Sequence, residues 1–327
     1  MRVLLALGGN AMTAPDGSAT PQAQIAAITT AMESVAALVA EGHEMVLTHG
    51  NGPQVGNLLV KNELAAQVVP PVPLDWCGAQ TQGTIGFVVL NALETAFAAR
   101  RIDTPVAAVV CRTLVDVDDE GFRHPTKPIG RYLPREQAQR MVEHGQTWED
   151  RGERGWRRVV ASPEPLEVLD TGAVRTLVEA GYAVVAAGGG GIPVVREPSG
   201  RLRGVEAVID KDLTAAVLAE HLEADFLMIL SDVANVYEGY GTDDARAITR
   251  ATPRYMRDLG APAGSMGPKI EAICRFVELT GGTGAIGRLE DAVKIVQGDA
   301  GTIITPGGNY GGPDDIRPPL PSSMREG

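Results

Sequence analysis

The 327-residue chain is short of cysteine and of positive charge, and it has no long uninterrupted apolar run. Its three cysteines, Cys77, Cys111 and Cys274, are odd in number, far apart and without a C-x-x-C pair. This argues against a disulfide framework or a zinc site and suits a reducing compartment. Lys and Arg total 29 against 41 Asp and Glu, a formal charge of −12. That balance argues against nucleic-acid and anionic-membrane partners, both of which select a basic face. No apolar run reaches the roughly 20 residues of a bilayer span. The opening "MRVLLALGGN" is too short in apolar residues for a secretory leader. A cytoplasmic protein is the expectation. The G-x-x-x-x-G-K-[ST] phosphate loop is also missing.

What is present is alternation. The length allows one large α/β domain or two lobes with a substantial core. "VLLAL" (Val3–Leu7) is an apolar run ending in Gly8 and Gly9, the pattern of a strand buried on both faces. Ile25, Ile28, Met32, Val35 and Val39 then recur at helical spacing up to Gly42. "EMVLTHG", "PVAAVV", "RRVVAS", "YAVVAAGGGG", "DFLMILS" and "GTIIT" extend the strand series. Strands alternating with helices predict βαβ units around a mostly parallel sheet. Ligands of such sheets bind at the carboxyl ends of the strands, which directs attention to the loops there.

Three of those loops are rich in glycine: "LGGNA", "THGNGPQVG" and "AAGGGGIPV". Glycine permits close backbone approach, and successive amides form nests for oxyanions. A phosphate or carboxylate site is therefore expected. His49, in the second loop, is read as a backbone hydrogen-bonding partner before a base. "AVIDKDLTAAVLAEHL" sets Lys211 between Asp210 and Asp212 at a helix start. An aspartate suits the N-cap, but a lysine in the first turn opposes the helix dipole unless an anion lies beside it. Lys269, next to Pro268 in "GSMGPKIEAICRFVE", repeats the anomaly, and together the two lysines suggest a phosphate chain. "GTGAIG" (Gly282–Gly287) matches G-x-G-x-x-G but follows a helix, so it fails as a dinucleotide fingerprint. The polar, Pro- and Gly-punctuated stretch from 117 to 163 holds two of the three tryptophans and reads as an inserted lid. Within it, Lys127 in "PTKPIG" would pass for a surface lysine on sequence alone. The proline-rich tail reads as surface loop.

"ALGGNA", "THGNGPQVG", "QTQGTIG", "KPIG", "AAGGGGIPV", "VIDKDLTAAVLA" and "GSMGPKIEA" stand in the order and spacing of carbamate kinases, and from Arg2 to about Thr305 the chain resembles that family of the amino-acid-kinase fold. The resemblance implies an αβα sandwich around a mostly parallel sheet. It implies a carbamate-binding lobe at 1–195, carrying the lid, and a nucleotide-binding lobe with the tail at 196–327. Lys211 and Lys269 would flank the transferred phosphoryl group, oriented by Asp210 and Asp212, and Lys127 would reach the carbamate end from the lid. Gly8, Gly9, Asn10, Gly50, Asn51 and Gly52 would bind carbamate and phosphoryl oxygens. Ser231, Asp232, Val233, Tyr237, Ser265, Met266 and Gly267 would join the two lysines around ATP or ADP. Mg²⁺ would be held by the nucleotide's phosphates and water, with no protein ligand set. A homodimer through the N-terminal lobes is implied, and reversible phosphoryl transfer serving ATP synthesis in arginine and carbamoyl phosphate catabolism. The rivals are a kinase for another small oxyanion and a silent nucleotide sensor. Lys127 in "KPIG" weighs against the first, and the four charged residues Asp210, Lys211, Asp212 and Lys269 against the second.

Overall fold

Continuous apolar runs form strands covered on both faces, and β1 (Arg2–Leu7) shows it: Val3, Leu5 and Leu7 enter one core layer, Leu4 and Ala6 the other. The computed structural model describes residues 1–9, 20–143, 145–242, 244–260, 266–307 and 316–317. After β1 come α1 (Pro21–Ala40), β2 (Glu44–His49), α2 (Gly52–Ala65), α3 (Leu74–Arg100), β3 (Val106–Ala108) and β4 (Arg112–Leu114). The polar stretch forms α4 (Glu120–Arg123), β5 (Lys127–Leu133), α5 (Arg135–Glu143), β6 (Thr147–Asp150) and β7 (Trp156–Val160). The chain continues with β8 (Glu167–Val168), α6 (Thr171–Glu179), β9 (Ala183–Val185), β10 (Ile192–Arg196) and β11 (Leu202–Gly204). Then follow α7 (Lys211–His221), β12 (Phe226–Ser231), β13 (Val236–Glu238), β14 (Arg246–Ile248), β15 (Arg250–Ala251) and α8 (Pro253–Asp258). The last elements are α9 (Met266–Thr280), β16 (Thr283–Arg288), α10 (Ala292–Gln297), β17 (Thr302–Ile304) and β18 (Ile316–Arg317).

One sheet in the order β15–β17–β16–β12–β1–β2–β9–β3 crosses the molecule. Its neighbours run parallel except β16 and β17. Helices α1, α3 and α10 bury their apolar stripes on one face, and α6, α7, α8 and α9 on the other. This is the αβα sandwich. Both halves of the sequence contribute strands to the same sheet.

Four details differ from the sequence reading. "GTGAIG" is strand β16, interior to the sheet. Its glycines are there for close packing: a Cβ on Gly284 would lie 2.4 Å from Ile273 Cγ2, and one on Gly287 2.6 Å from Ile295 Cδ1. "RRVVAS" is not in the parallel sheet. It lies in β7, between β5 and β6 in an antiparallel lid sheet. Two adjacent valines in a short run do not distinguish the two settings. The stripe of α1 begins at Ile28, and Ile25 is 48% exposed. Helical spacing sets the period of a stripe but not where its contact with the sheet starts. Finally, α1 is long and apolar enough, at a mean hydropathy of 1.5, to cross a bilayer by length and composition alone. Thr29, Thr30 and Glu33 break its apolar runs, and Met32, Val35 and Leu38 are fully buried in the core.

The lid has a small core of its own in Leu133, Ala138 and Trp148, against which Met141 and Trp156 pack. Ile129 and Val160 fasten it to Val55, Leu59 and Leu74 of the body. Of the tail, β18 adds a strand to β14.

Candidate active site

Asp210 has the job of a helix cap. Its Oδ1 accepts from the amides of Asp212 at 2.9 Å and Leu213 at 3.4 Å, satisfying the first turn of α7. Its other oxygen, Oδ2, accepts from Lys127 Nζ of the lid at 3.2 Å. Asp212 caps nothing. It is 3% exposed and divides its carboxylate between two lysines, with Lys211 Nζ on Oδ1 and Lys269 Nζ on Oδ2 at 2.9 Å. The two helix-start lysines, on α7 and α9, thus meet on one buried carboxylate.

Burial opposes the charge on Asp212, but the adjacent Lys211 and Lys269 ammonium groups hold its carboxyl below the usual range. Burial lowers the Lys211 pKa, Asp212 opposes that shift, and Lys269 adds to it. Two ammonium groups on one carboxylate leave a net positive charge in a nearly enclosed place, an arrangement suited to holding an anion. The stem of Lys211 lies against the first two glycine loops. A Cβ on Gly50 would stand 3.7 Å from Lys211 Cδ and Cε and 3.6 Å from the Gly9 amide nitrogen. A Cβ on Gly8 would come within 2.8 Å of the Leu230 carbonyl oxygen, so this turn is closed to larger residues.

The third glycine loop is fixed from four directions. Thr48 donates to the Ala187 carbonyl, Gln82 to that of Gly188, and both Thr113 and Thr214 lie within hydrogen-bond distance of Gly190 oxygen, at 2.8 and 3.1 Å. Gly189, Gly190 and Gly191 have φ of +68°, +87° and +84°, which a side chain would strain. Asn51 packs against Gly189 and donates to Thr81 at 2.9 Å. His49 is buried, and desolvation lowers its pKa to about 4. Its Nδ1 lies 2.8 Å from the Gly50 carbonyl oxygen, and its ring fills the space a Gly188 Cβ would need. It holds two loops together as a neutral imidazole.

A cavity of about 490 Å³ opens between these loops and the lid, with Asn51, Gly52, Gly189 and Lys127 in its wall. On the other side, Ser231 and Asp232 follow β12, where Ser231 Oγ donates to Asp232 Oδ1 at 2.9 Å and Arg288 to the Asp232 carbonyl at 3.3 Å. Val233 lies in the turn after β12, Tyr237 on β13, its ring 6.1 Å from that of Tyr240, and Met266 and Gly267 open α9. Asn10 and Ser265 lie outside the described residues. Among the described residues no three His, Cys, Asp or Glu gather as a metal-binding group.

Sequence reasoning passed over Gln82, Thr113 and Thr214. A threonine inside a helix or strand carries no local mark of a distant carbonyl, though "QTQGTIG" did signal the region of Gln82.

A sequence model of the amino acid kinase family matches residues 1–286. The carbamate kinase of Thermococcus kodakarensis is 41% identical over 311 residues, covering 93% of this chain and 98% of that protein. The chain belongs to the carbamate kinase group of the amino acid kinase family. The carbamate kinase of Pyrococcus horikoshii is 39% identical over 312 residues, covering 93% of this chain and 99% of that one. Among solved structures, the carbamate kinase from Giardia lamblia bound to AMP-PNP has a TM-score of 0.89 at 38% identity, over 94% of this chain and 98% of that one.

Proposed function

We propose that the protein is a carbamate kinase that moves a phosphoryl group reversibly between ATP and carbamate, giving ADP and carbamoyl phosphate. The observation that carries this reading is the Lys211–Asp212–Lys269 group beside Gly9 and Gly50. Phosphoryl transfer has a loose transition state, so catalysis is chiefly positioning and electrostatic stabilisation. Lys211 and Lys269 stabilise the charge on the group in flight, and Asp212 keeps both ammonium groups at one point. No general base is needed, because the carbamate oxygen is already anionic. His49, neutral and engaged with Gly50, is not placed for that task.

The loops at Gly8, Gly9 and Asn10 and at Gly50, Asn51 and Gly52 hold carbamate and phosphoryl oxygens. Lys127 leaves Asp210 for the carbamate carboxylate, while Asp210 continues to cap α7. Ser231, Asp232, Val233, Tyr237, Ser265, Met266 and Gly267 surround the nucleotide, so the carbamate lobe is 1–195 and the nucleotide lobe 196–327. Mg²⁺ accompanying ATP would be held chiefly by the nucleotide's phosphates and water, and would supply further neutralisation of the phosphate charge. The protein is cytoplasmic, a homodimer through its N-terminal lobes, and runs toward ATP in arginine and carbamoyl phosphate catabolism.

The test is ADP release from ATP with ammonium bicarbonate, set against a panel of other small acids. Carbamate should be preferred, and Lys211→Ala should lower kcat by ~10²-fold or more. Lys127→Ala should raise KM for carbamate with KM for ATP near wild type. ADP release indifferent to ammonium bicarbonate would overturn the reading.

A further inference from the structure

The cavity beneath the lid offers far more room than carbamate fills. Among the described residues its wall carries three cationic side chains, Lys127, Arg131 and Arg157, and no carboxylate, in a chain of net charge −12. Lys127 is paired with Asp210, and Arg131 with Glu63 at 3.1 Å. Arg157 differs. Among the described residues it meets no carboxylate: its guanidinium lies 5.0 Å from the centre of the Tyr132 ring, with Nη1 3.5 Å from the Tyr132 hydroxyl. Its Nε is buried and donates to nothing. A buried donor on a cation is costly to leave unmet, and a cation that finds no protein anion is open to a mobile one.

The register places it. Lys127 pairs with Val160 and Tyr132 with Arg157 across β5 and β7. Three residues of strand separate Val160 from Arg157, so the two cationic positions stand ~10 Å apart along the lid. The wall also includes Pro128, Ile129, Val55 and Val60, with Ile129 and Val55 in one apolar cluster. Arg154 also donates to the Tyr132 hydroxyl, which adds a second positive charge there.

We propose that Arg157 forms a second oxyanion site at the outer end of this cavity, which captures carbamate, or carbamoyl phosphate in the reverse direction, before it reaches Lys127. The assignment rests on the reading of the protein as a carbamate kinase. A cation at the mouth of a low-dielectric cleft raises the local concentration of anionic substrate and the rate of its capture.

The experiment measures ATP formation from carbamoyl phosphate and ADP by the full-length enzyme. Arg157→Gln should lower kcat/KM for carbamoyl phosphate ~10-fold, with kcat and KM for ADP within about twofold of wild type, and Arg157→Lys should recover most of the loss. Added salt should depress kcat/KM of the wild type more steeply than that of Arg157→Gln. A second readout needs no turnover. With ADP present, inorganic phosphate should raise the Tm of wild type and of Lys127→Ala by more than it raises that of Arg157→Gln, which keeps the Lys211 and Lys269 site, and this tests the Arg157 site even if carbamate proves not to be the substrate. An unchanged kcat/KM in Arg157→Gln, or a loss confined to kcat and Tm that Arg157→Lys does not repair, overturns the proposal. If Arg157→Gln fails to fold, Arg157→Met measured against Arg157→Lys decides by the same criteria.

Discussion

The Gly190 carbonyl is approached by two hydroxyls, Thr113 from β4 and Thr214 from the first turns of α7. Thr214 lies one turn beyond Lys211, so this contact ties the third glycine loop to the helix that carries the lysine and both aspartates. Thr214→Val keeps the shape and removes the donor. It should cost about 1 kcal/mol of stability and lower kcat several-fold, with Thr214→Ser near wild type; urea unfolding and steady-state kinetics check both. A Thr214→Val enzyme with unchanged kcat would make the contact purely structural. His49 gives a pH test. Its folded pKa of about 4 lies below the ordinary histidine value of 6.5, so the unfolded chain takes up the proton first as pH falls. Its contribution to stability is complete above about pH 6.5 and is lost, by about 3 kcal/mol, on going down to about pH 4. Urea midpoints of wild type and His49→Gln should therefore converge across that window. Asp212, whose carboxyl is held low, loses its contribution only below its ordinary 3.8, outside the His49 range.

Elements here are shaped by close approach as much as by propensity. Glycine is poorly suited to strands, yet β16 holds Gly284 and Gly287 where α9 and α10 press on the sheet. Gly284→Ala would put a methyl group against Ile273 and Val277, and should lower stability by about 1–3 kcal/mol through overpacking. Gly284 meets α9 at Ile273 and Val277, one and two turns beyond Lys269, so kcat of the folded variant should stay near wild type; thermal unfolding beside an activity assay checks it. The same feature explains why this strand was illegible. "GTGAIG" follows a helix, which rules out a nucleotide turn, but only the helices packed on it show that its glycines make room for side chains. "VLLAL" and "DFLMILS" were legible for the opposite reason, since continuous apolar runs need burial on both faces.

The whole molecule is organised by one sheet to which both halves of the chain contribute, β1 and β12 being neighbours at its centre. The two halves share that sheet and both core layers, so they should unfold together. Urea unfolding followed by far-ultraviolet circular dichroism and by loss of activity should give one coincident transition; two separated transitions would show independent lobes. The lid stands apart from this sheet, with its own core at Leu133, Ala138 and Trp148.

Sequence alone determined the alternation of strand and helix, the three glycine loops and the two misplaced lysines. Each of these is a local conflict or a local period: a cation at the positive end of a helix dipole, a run too apolar for a surface, a loop with too many glycines. The helix dipole accounted for Asp210 before any fold was known. Tertiary structure alone decided that Asp212 joins Lys211 to Lys269, that Lys127 rests on Asp210, and that Gln82, Thr113 and Thr214 hold the third loop. It also decided which glycines line the cavity and which meet a packed side chain. Those contacts join residues far apart in the chain, 57 residues between the lysine Lys269 and Asp212 and 83 between Lys127 and Asp210. Nothing in a residue's neighbours along the chain records a partner that only the closing of the sheet brings within reach.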